Sequence, residues 1–256
     1  ASARWSARPA MEMAADGSVL LRTGAADMGQ GAHTALAQMA AEKLGVEFDA
    51  IRVVTPDTDR TPDAGPACAS RTTFLSGNAI RQAATTIRNS LLESAVASTG
   101  RPIEELTLRE GWLYAEGEQV TTIAEVAASA KDANYSLQAN GHYAMEYPEE
   151  LLEGSFPYLQ QVFTFGIQVA QVLVDIETGV VEVENLTVVQ DAGRVINPDG
   201  AMGQFEGGAA MGVGYALLEE LVTDDGRTIN DSLENYLVPT SMDVPQMKVG
   251  VVGIPE

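Results

Sequence analysis

The glycine-rich stretch at residues 24–34 carries the side chains best suited to hold a ligand. It includes Met28, Gly29, Gln30, Gly31, His33 and Thr34. An apolar strand at residues 18–21 precedes it, and an amphipathic helix at residues 35–44 follows it. Backbone amides in the first turn of a helix lack intrahelical partners and carry positive partial charge, so phosphate or carbonyl groups bind there. This first glycine turn therefore indicates a cofactor-binding site, with a purely structural turn as the open alternative.

A second stretch repeats this order of elements. Met202-Gly203-Gln204 has the residue types of Met28-Gly29-Gln30, after a predicted strand at 186–190 and a turn at 191–198. A helix rich in small residues follows it. The separation is far too long for a solenoid repeat, so the two Met-Gly-Gln turns indicate an internal duplication. We expect two related lobes that face one ligand.

A long loop at residues 55–73 offers further polar groups. Its last five residues are Ala69, Ser70, Arg71, Thr72 and Thr73. Hydroxyl groups and a guanidinium placed just before a helix suit phosphate oxygens or the polar edge of a heterocycle. Alternatively, the hydroxyl groups cap a helix that begins near Ser76 or Gly77, and Arg71 is a surface charge.

Single residues narrow the chemistry further. Gln30 and Gln204 each offer a donor and an acceptor, as the carbonyl, amine and oxo groups of a pterin require. His33 stands at a helix start, where the macrodipole favours a neutral hydrogen-bonding or capping role. Cys68 has no His or Lys beside it and is expected to be a small buried residue. No hydrolytic triad or carboxylate pair can be assembled, so spacing alone indicates a phosphate-bearing or heterocyclic ligand.

Composition excludes several classes of function. The 256 residues are 45% hydrophobic, which is enough for a full core, and carry a net charge of −21. That charge repels nucleic acid and anionic membrane surfaces. The longest apolar helix candidate, residues 207–218, is shorter than the roughly 20 residues of a membrane span. No export leader is recognisable, so we expect a soluble, cytoplasmic protein with neither nucleic acid nor membrane as a partner. The periplasm is the alternative location if a partner chain carries an export signal.

The cysteine and histidine content excludes several kinds of metal site. The chain has one cysteine and two histidines, His33 and His142. One thiol cannot hold an iron–sulfur cluster or form an internal disulfide, and two distant histidines do not form a zinc site. Any metal must therefore arrive already bound to an organic ligand.

The remaining elements predict an α+β fold. We expect two related lobes of mixed or antiparallel sheet with packed helices, at residues 1–140 and 141–256, with the cofactor-binding turns at strand-to-helix junctions. Hydrophobic periodicity predicts a helix of about twenty residues ending at Gly100 and a shorter helix at 123–130. An acidic segment at 146–150 is interpreted as a linker, and residues 162–176 and 180–189 as a long antiparallel hairpin with one solvated face.

Several motifs in this order resemble the xanthine dehydrogenase and aldehyde oxidase family, specifically the C-terminal half of its molybdenum-cofactor-binding subunit. The resemblance spans nearly the whole chain. Its motifs are residues 16–21, 28–34, 66–79, 190–198 and 203–208.

The resemblance implies a molybdenum hydroxylase. In such enzymes molybdenum is held by the dithiolene of a pyranopterin, extended by a cytidine nucleotide in bacterial members. A water-derived oxygen enters a C–H bond of an aldehyde or N-heteroaromatic substrate. Electrons leave through iron–sulfur clusters to flavin or another acceptor, and here [2Fe-2S] clusters and FAD are expected on partner chains.

The resemblance also implies which residues contact the cofactor, and it makes Cys68 a bystander. In the first half of the chain they are Met28, Gly29, Gln30, Gly31, His33 and Thr34, with Ala69, Ser70, Arg71, Thr72 and Thr73 of the loop. In the second half they are Asp191, Ala192, Arg194, Asn197 and Gln204.

Two departures from the family pattern affect the function. The family's catalytic glutamate lies in a Gly-x-Gly-Glu segment beyond the point that matches Pro255-Glu256, and Glu256 does not match it. The N-terminal half of the subunit is also missing, so we expect this chain to be inactive alone. It is either one piece of a molybdenum subunit split between polypeptides, with a partner chain that carries that half, or a fragment of a longer chain. The alternatives are a catalytically silent scaffold lobe and an unrelated nucleotide-binding module.

Overall fold

The computed structural model describes residues 6–68, 70–145 and 163–252, and it divides the chain into two compact units, Ala1–Leu159 and Gln160–Glu256. Ala69, the acidic segment at 146–150, the predicted hairpin start at 162 and Pro255-Glu256 lie outside the described residues. The domain boundary expected at residue 140, and the relation between the lobes, stay predictions.

The first unit combines short strands with three helices among its described residues. The strands are β1 Ser6–Ala7, β2 Ala10–Met13, β3 Val19–Arg22, β4 Ile51–Val54, β5 Leu106–Arg109, β6 Trp112–Ala115, β7 Glu118–Thr122, β8 Gln138–Asn140 and β9 Tyr143–Ala144. The helices are α1 Ala32–Leu44, α2 Arg71–Thr99 and α3 Ile123–Asp132.

A four-stranded sheet of order β4-β3-β2-β8 anchors this unit. β3 and β4 are parallel, whereas the β2–β3 and β2–β8 pairs are antiparallel. β5, β6 and β7 form an antiparallel meander, and β1 pairs with β9. Apolar side chains of the larger sheet and of α1 and α2 share one core, which includes Met11, Leu21, Leu36, Ile80 and Ile87. This core supports the first glycine turn, because that turn joins β3 to α1.

Local chemistry explains where the helices end. Gly45 closes α1 at a left-handed φ of 81°, which glycine adopts without strain, and its amide bonds Ala41 O at 2.8 Å. Thr122 and Glu125 form a capping box at the start of α3. α2 ends at Gly100 as predicted but begins at Arg71, so the interpretation that a helix starts near Ser76 is wrong.

The second unit is a three-stranded sheet of order β10-β11-β14 with one long helix. Its elements are β10 Gly166–Val174, β11 Val181–Asp191, α4 Pro198–Leu217, β12 Thr223–Asp224, β13 Arg227–Thr228 and β14 Gln246–Val252. β10 pairs antiparallel with β11, and β11 pairs parallel with β14. α4 packs on one face of the sheet, where Leu186, Val188 and Ala209 are buried. The mixed α+β class is confirmed.

Two local expectations for this unit need correction. Met202-Gly203-Gln204 lies inside α4 rather than in a turn before it, because Pro198 starts the helix and Asn197 caps it. The strand-turn-helix order is therefore repeated, but the Met-Gly-Gln conformation is not. The hairpin forms, yet its β10 strand is exposed along its whole length and carries apolar residues on both faces rather than one solvated face.

Candidate functional site

The first glycine turn is organised by a carboxylate that sequence analysis missed. Asp27 Oδ1 accepts hydrogen bonds from the amides of Gly29 at 2.9 Å and Gly31 at 3.3 Å, and its Oδ2 accepts one from the amide of His33 at 3.1 Å. Burial opposes ionisation of Asp27, but these three bonds outweigh it and lower the pKa of the carboxyl below its usual value. An anion of the chain itself thus binds the amides that the sequence assigned to a phosphate. An aspartate four residues before the helix N-cap was the signal.

Gln30 holds the same turn from its other side. Its Oε1 accepts from the amide of Met28 at 2.5 Å, and its Nε2 donates to Ala26 O at 3.0 Å. The Met28 side chain is 74% exposed. Among the described residues nothing lies within 4 Å of the position that a Cβ would take at Gly29 or Gly31. The turn is therefore rigid on its inner side and open on its outer side.

His33 faces into the unit. Its Nε2 lies 2.7 Å from Ala25 O and 3.3 Å from Thr55 Oγ1, which itself donates to Ala25 O at 3.0 Å. A hydrogen bond to a carbonyl requires that Nε2 carry the proton. The ring therefore ties the first glycine turn to the end of β4. Thr34, one residue further on, is exposed.

The loop residue Arg71 is buried rather than a surface charge. Its side chain donates to Ala64 O at 2.8 Å, to Pro66 O at 2.7 Å and to Ser6 O at 2.8 Å. A Cβ at Gly65, where φ is 70°, would lie 2.8 Å from Arg71 Nη1. Burial lowers the pKa of the guanidinium, but arginine stays protonated in proteins. Arg71 therefore joins the loop, α2 and β1 through their backbones.

The residues on either side of Arg71 differ in conformation and exposure. Ser70 has a left-handed φ of 53° and makes no side-chain capping bond to α2. Thr73 is exposed and Thr72 is half-buried. Cys68 is exposed, so the expectation of a buried cysteine is wrong.

In the second unit the turn between β11 and α4 is also held by its own side chains. Asp191 Oδ1 accepts from the amide of Gly193 at 2.9 Å, and Asn197 Oδ1 accepts from the amide of Gly200 at 2.8 Å. Ala192 is half-buried, whereas Arg194 and Gln204 are exposed. Gln204 thus presents its amide on the outer surface of α4 within this unit.

Four glycines of α4 are exposed and have no close neighbour within this unit. Among the described residues no atom lies within 4 Å of where a Cβ would be built at Gly203, Gly207, Gly208 or Gly212. At Gly214, by contrast, that Cβ would lie 2.5 Å from Pro239 Cδ. Glycine lowers helix stability by about 1 kcal/mol relative to alanine, so packing inside this unit explains Gly214 but not the other four.

Replacing Gly207 by alanine is expected to raise the melting temperature of the ligand-free protein and, since the resemblance implies a cofactor, to lower the cofactor content of the purified protein. Alanine gains about 1 kcal/mol of helix propensity, while its methyl group would block close approach of a ligand at this position. The matched control Gly214→Ala is expected to lower the melting temperature because of Pro239. Unchanged cofactor content in Gly207→Ala would show that no ligand closely approaches Gly207.

The described ranges also bear on metal binding and on membrane insertion. No group of three or more His, Cys, Asp or Glu side chains there is placed to hold a metal ion. In the same ranges, none of the helices has the length and apolar character of a membrane span.

Comparison with known proteins decides the family. The family model described as the molybdopterin cofactor-binding domain matches residues 3–245. The chain belongs to this family. The xanthine dehydrogenase molybdenum-binding subunit of Escherichia coli O157:H7 is 32% identical over 244 residues, which are 94% of this chain and 32% of that protein. The resemblance to the xanthine dehydrogenase family is confirmed.

Another curated relative and a solved structure support the same family. Subunit gamma of the 6-hydroxypseudooxynicotine dehydrogenase complex of Paenarthrobacter nicotinovorans is 31% identical, over 93% of this chain and 29% of that protein. The crystal structure of quinoline 2-oxidoreductase from Pseudomonas putida 86 has a TM-score of 0.86 and 28% identity, over 98% of this chain and 32% of that chain. The chain thus spans about a third of the length of these relatives. An unrelated nucleotide-binding module is not favoured.

Proposed function

We propose that this chain contributes cofactor-binding residues to a molybdenum hydroxylase that oxidises a C–H bond of an aldehyde or N-heteroaromatic compound with water-derived oxygen. The observation that carries the proposal is the match of residues 3–245 to a molybdopterin cofactor-binding domain. The first glycine turn supports it, since its outer side is open while its inner side is already bonded.

The residues present fit a neutral heterocycle better than a free phosphate at the first glycine turn. Asp27 already occupies the amides of Gly29, Gly31 and His33, and a second anion there would meet a like charge. The peptide groups on the open side, with the remaining donor and acceptor capacity of Gln30, suit the edge of a pterin. We therefore assign Met28, Gly29 and Gln30 to direct cofactor contact, and His33 to positioning the turn.

The other residues that the resemblance assigns to the cofactor fall into two groups, those that position the backbone and those that contact the cofactor. Arg71 would act by fixing the loop before it to the start of α2, because its guanidinium is bonded to backbone carbonyls. Ala69 and Ser70 of the loop, and Thr72 and Thr73 in the first turn of α2, would contact the cofactor. In the second unit Gln204 and the exposed Arg194 would contact the cofactor directly. Asp191 and Asn197 would hold the turn containing Ala192. When bound, the cofactor would supply the metal at which oxygen transfer and two-electron oxidation occur, and this chain's residues would bind and orient it.

We further propose that the cofactor is the cytidine dinucleotide form and that the chain works within a larger assembly. The partners would be the remainder of the molybdenum subunit, with the catalytic glutamate, and chains holding [2Fe-2S] clusters and FAD. Relatives named as a complex subunit and as a molybdenum-binding subunit support this arrangement. The cytoplasmic location expected from the sequence stays a prediction.

The decisive experiment is elemental analysis of the assembly purified natively from its source, with every co-purifying chain identified by mass spectrometry. Near-stoichiometric molybdenum together with a cysteine-rich partner is the expected result. A preparation without molybdenum would overturn the proposal and leave the silent scaffold lobe.

Substitution of Gln204 by alanine is expected to lower the molybdenum content without changing the melting temperature. Loss of one hydrogen bond costs about 1 kcal/mol, which is about a fivefold loss of affinity. Gln30→Ala should lower the melting temperature as well, because Gln30 bonds Met28 and Ala26. Gln138→Ala, at an exposed position of strand β8, is the control and should change neither quantity. Full molybdenum content in Gln204→Ala would remove this residue from the site.

A further inference from the structure

β10 forms one edge of the sheet in the second unit, and its outer backbone groups can be identified from the register. β11 lies on one side of β10, and no described strand lies on the other. The amide of Asp191 donates to Phe165 O at 2.8 Å, one position beyond the paired residues Gly166 and Gln190. Hydrogen-bonded pairs alternate along an antiparallel ladder, so Ile167 and Val169 also bond β11. The backbone N–H and C=O groups of Gly166, Gln168 and Ala170 therefore point away from β11, toward the free edge of the sheet.

This edge lacks the features that protect natural sheet edges. Proteins shield exposed edges with charged side chains, proline or very short strands. The β10 strand is nine residues long, with the sequence GIQVAQVLV, and contains neither a charge nor a proline. Its one irregularity in pairing, between Gln171 and Val172, leaves the regular ladder from Gly166 to Gln171 intact.

The side chains beside this edge are apolar and uncovered. Ile167 is 69% exposed and Val169 is 58% exposed. Their register partners on β11 are Val189 and Thr187, whereas Leu186 and Val188 turn to the opposite face and pack near α4. Ile167, Val169 and Val189 thus form an open apolar face on the side of the sheet away from α4. A sheet with two apolar faces needs a second covering layer to be stable in water.

We infer that the outer edge of β10 receives an additional β-strand, and that this strand belongs to the part of the molybdenum subunit outside the present sequence. The relatives are about three times as long as the region they share with this chain, so the same subunit supplies the covering polypeptide. An extended segment with alternating apolar residues would bond the free backbone groups of Gly166, Gln168 and Ala170. Its side chains would extend the apolar face of Ile167 and Val169. This inference does not depend on cofactor binding.

Residue-resolved hydrogen exchange of the intact subunit tests the added strand. The amides of Gln168 and Ala170 are expected to exchange at least about a hundredfold more slowly than in an unstructured chain, as hydrogen-bonded sheet amides do. Those of Ile167 and Val169, bonded to β11, serve as the internal control. Slow exchange at the control amides with fast exchange at Gln168 and Ala170 would overturn the inference. Molybdenum-free and loaded subunits should give the same pattern, so failure of the cofactor proposal is distinguishable.

The origin of the strand is tested by photocrosslinking. The variant Val169→benzoylphenylalanine, in the full subunit, is expected to crosslink to a peptide outside the 256 residues described by this sequence. A crosslink to residues 1–256 of the same chain would overturn the inference. A crosslink between two copies, with exchange protection that rises with protein concentration, would do so as well, because it would make the occupant a second copy.

Discussion

Replacing Arg71 by methionine is expected to lower the free energy of unfolding by about 3–5 kcal/mol, because three backbone carbonyls lose the side chain that donates to them. Methionine fills much of the same volume but leaves the carbonyls of Ser6, Ala64 and Pro66 without their donor. Each buried acceptor that loses its partner costs about 1–3 kcal/mol. Urea denaturation followed by circular dichroism measures the change.

Two further variants distinguish the loss of the three hydrogen bonds of Arg71 from the loss of one positive charge. Arg81 lies on the exposed side of the same helix, so Arg81→Met is expected to change the free energy of unfolding by at most about 0.5 kcal/mol. Arg71→Lys keeps the charge but lacks the planar fork of donors, so an intermediate loss is expected. If Arg71→Met were as stable as Arg81→Met, the bonds to the three carbonyls would not hold the loop.

Replacing Asp27 by alanine is expected to lower the free energy of unfolding by about 2 kcal/mol, the upper range for a helix-capping side chain. The change leaves the amides of Gly29, Gly31 and His33 without the carboxylate. Because the first glycine turn then loses its inner support, the molybdenum content of the native assembly should fall with stability. Asp59→Ala is the control, since Asp59 is exposed beside β4 and no capping role falls to it.

A second prediction for Asp27 concerns how the free energy of unfolding depends on pH. Its pKa is lower in the folded protein than in the unfolded chain, where it is about 3.9. The stabilisation is therefore fully present above the unfolded pKa and is lost as pH falls through the folded pKa. The difference in unfolding free energy between wild type and Asp27→Ala should shrink in acid. A difference that stayed constant from neutral pH to below pH 3 would contradict the assigned role of the ionised carboxylate.

The sequence by itself determined the elements that depend on local pattern. The strand β3, α1 up to Gly45 and the end of α2 at Gly100 follow from periodicity and from glycine. The position of residues 24–31 and 191–197 between a strand and a helix follows in the same way. These features depend on residues within about four positions of each other, which a single sequence displays directly. The motifs also indicated the family, because several short patterns occur in the right order between residues 16 and 208, within the region 3–245 that the family model matches.

Only the tertiary structure decided which partners the polar side chains take. Arg71 reads as a surface charge or a phosphate ligand in sequence, yet it bonds Ser6 O, 65 residues away. Asp27 occupies amides that local rules assign to a ligand, and Met202-Gly203-Gln204 enters a helix although its counterpart stays in a turn. A buried polar group takes whichever partner the fold brings within about 3 Å, and leaving it unpaired costs more than any local preference supplies. Such pairings are therefore set by distant segments that meet only on folding.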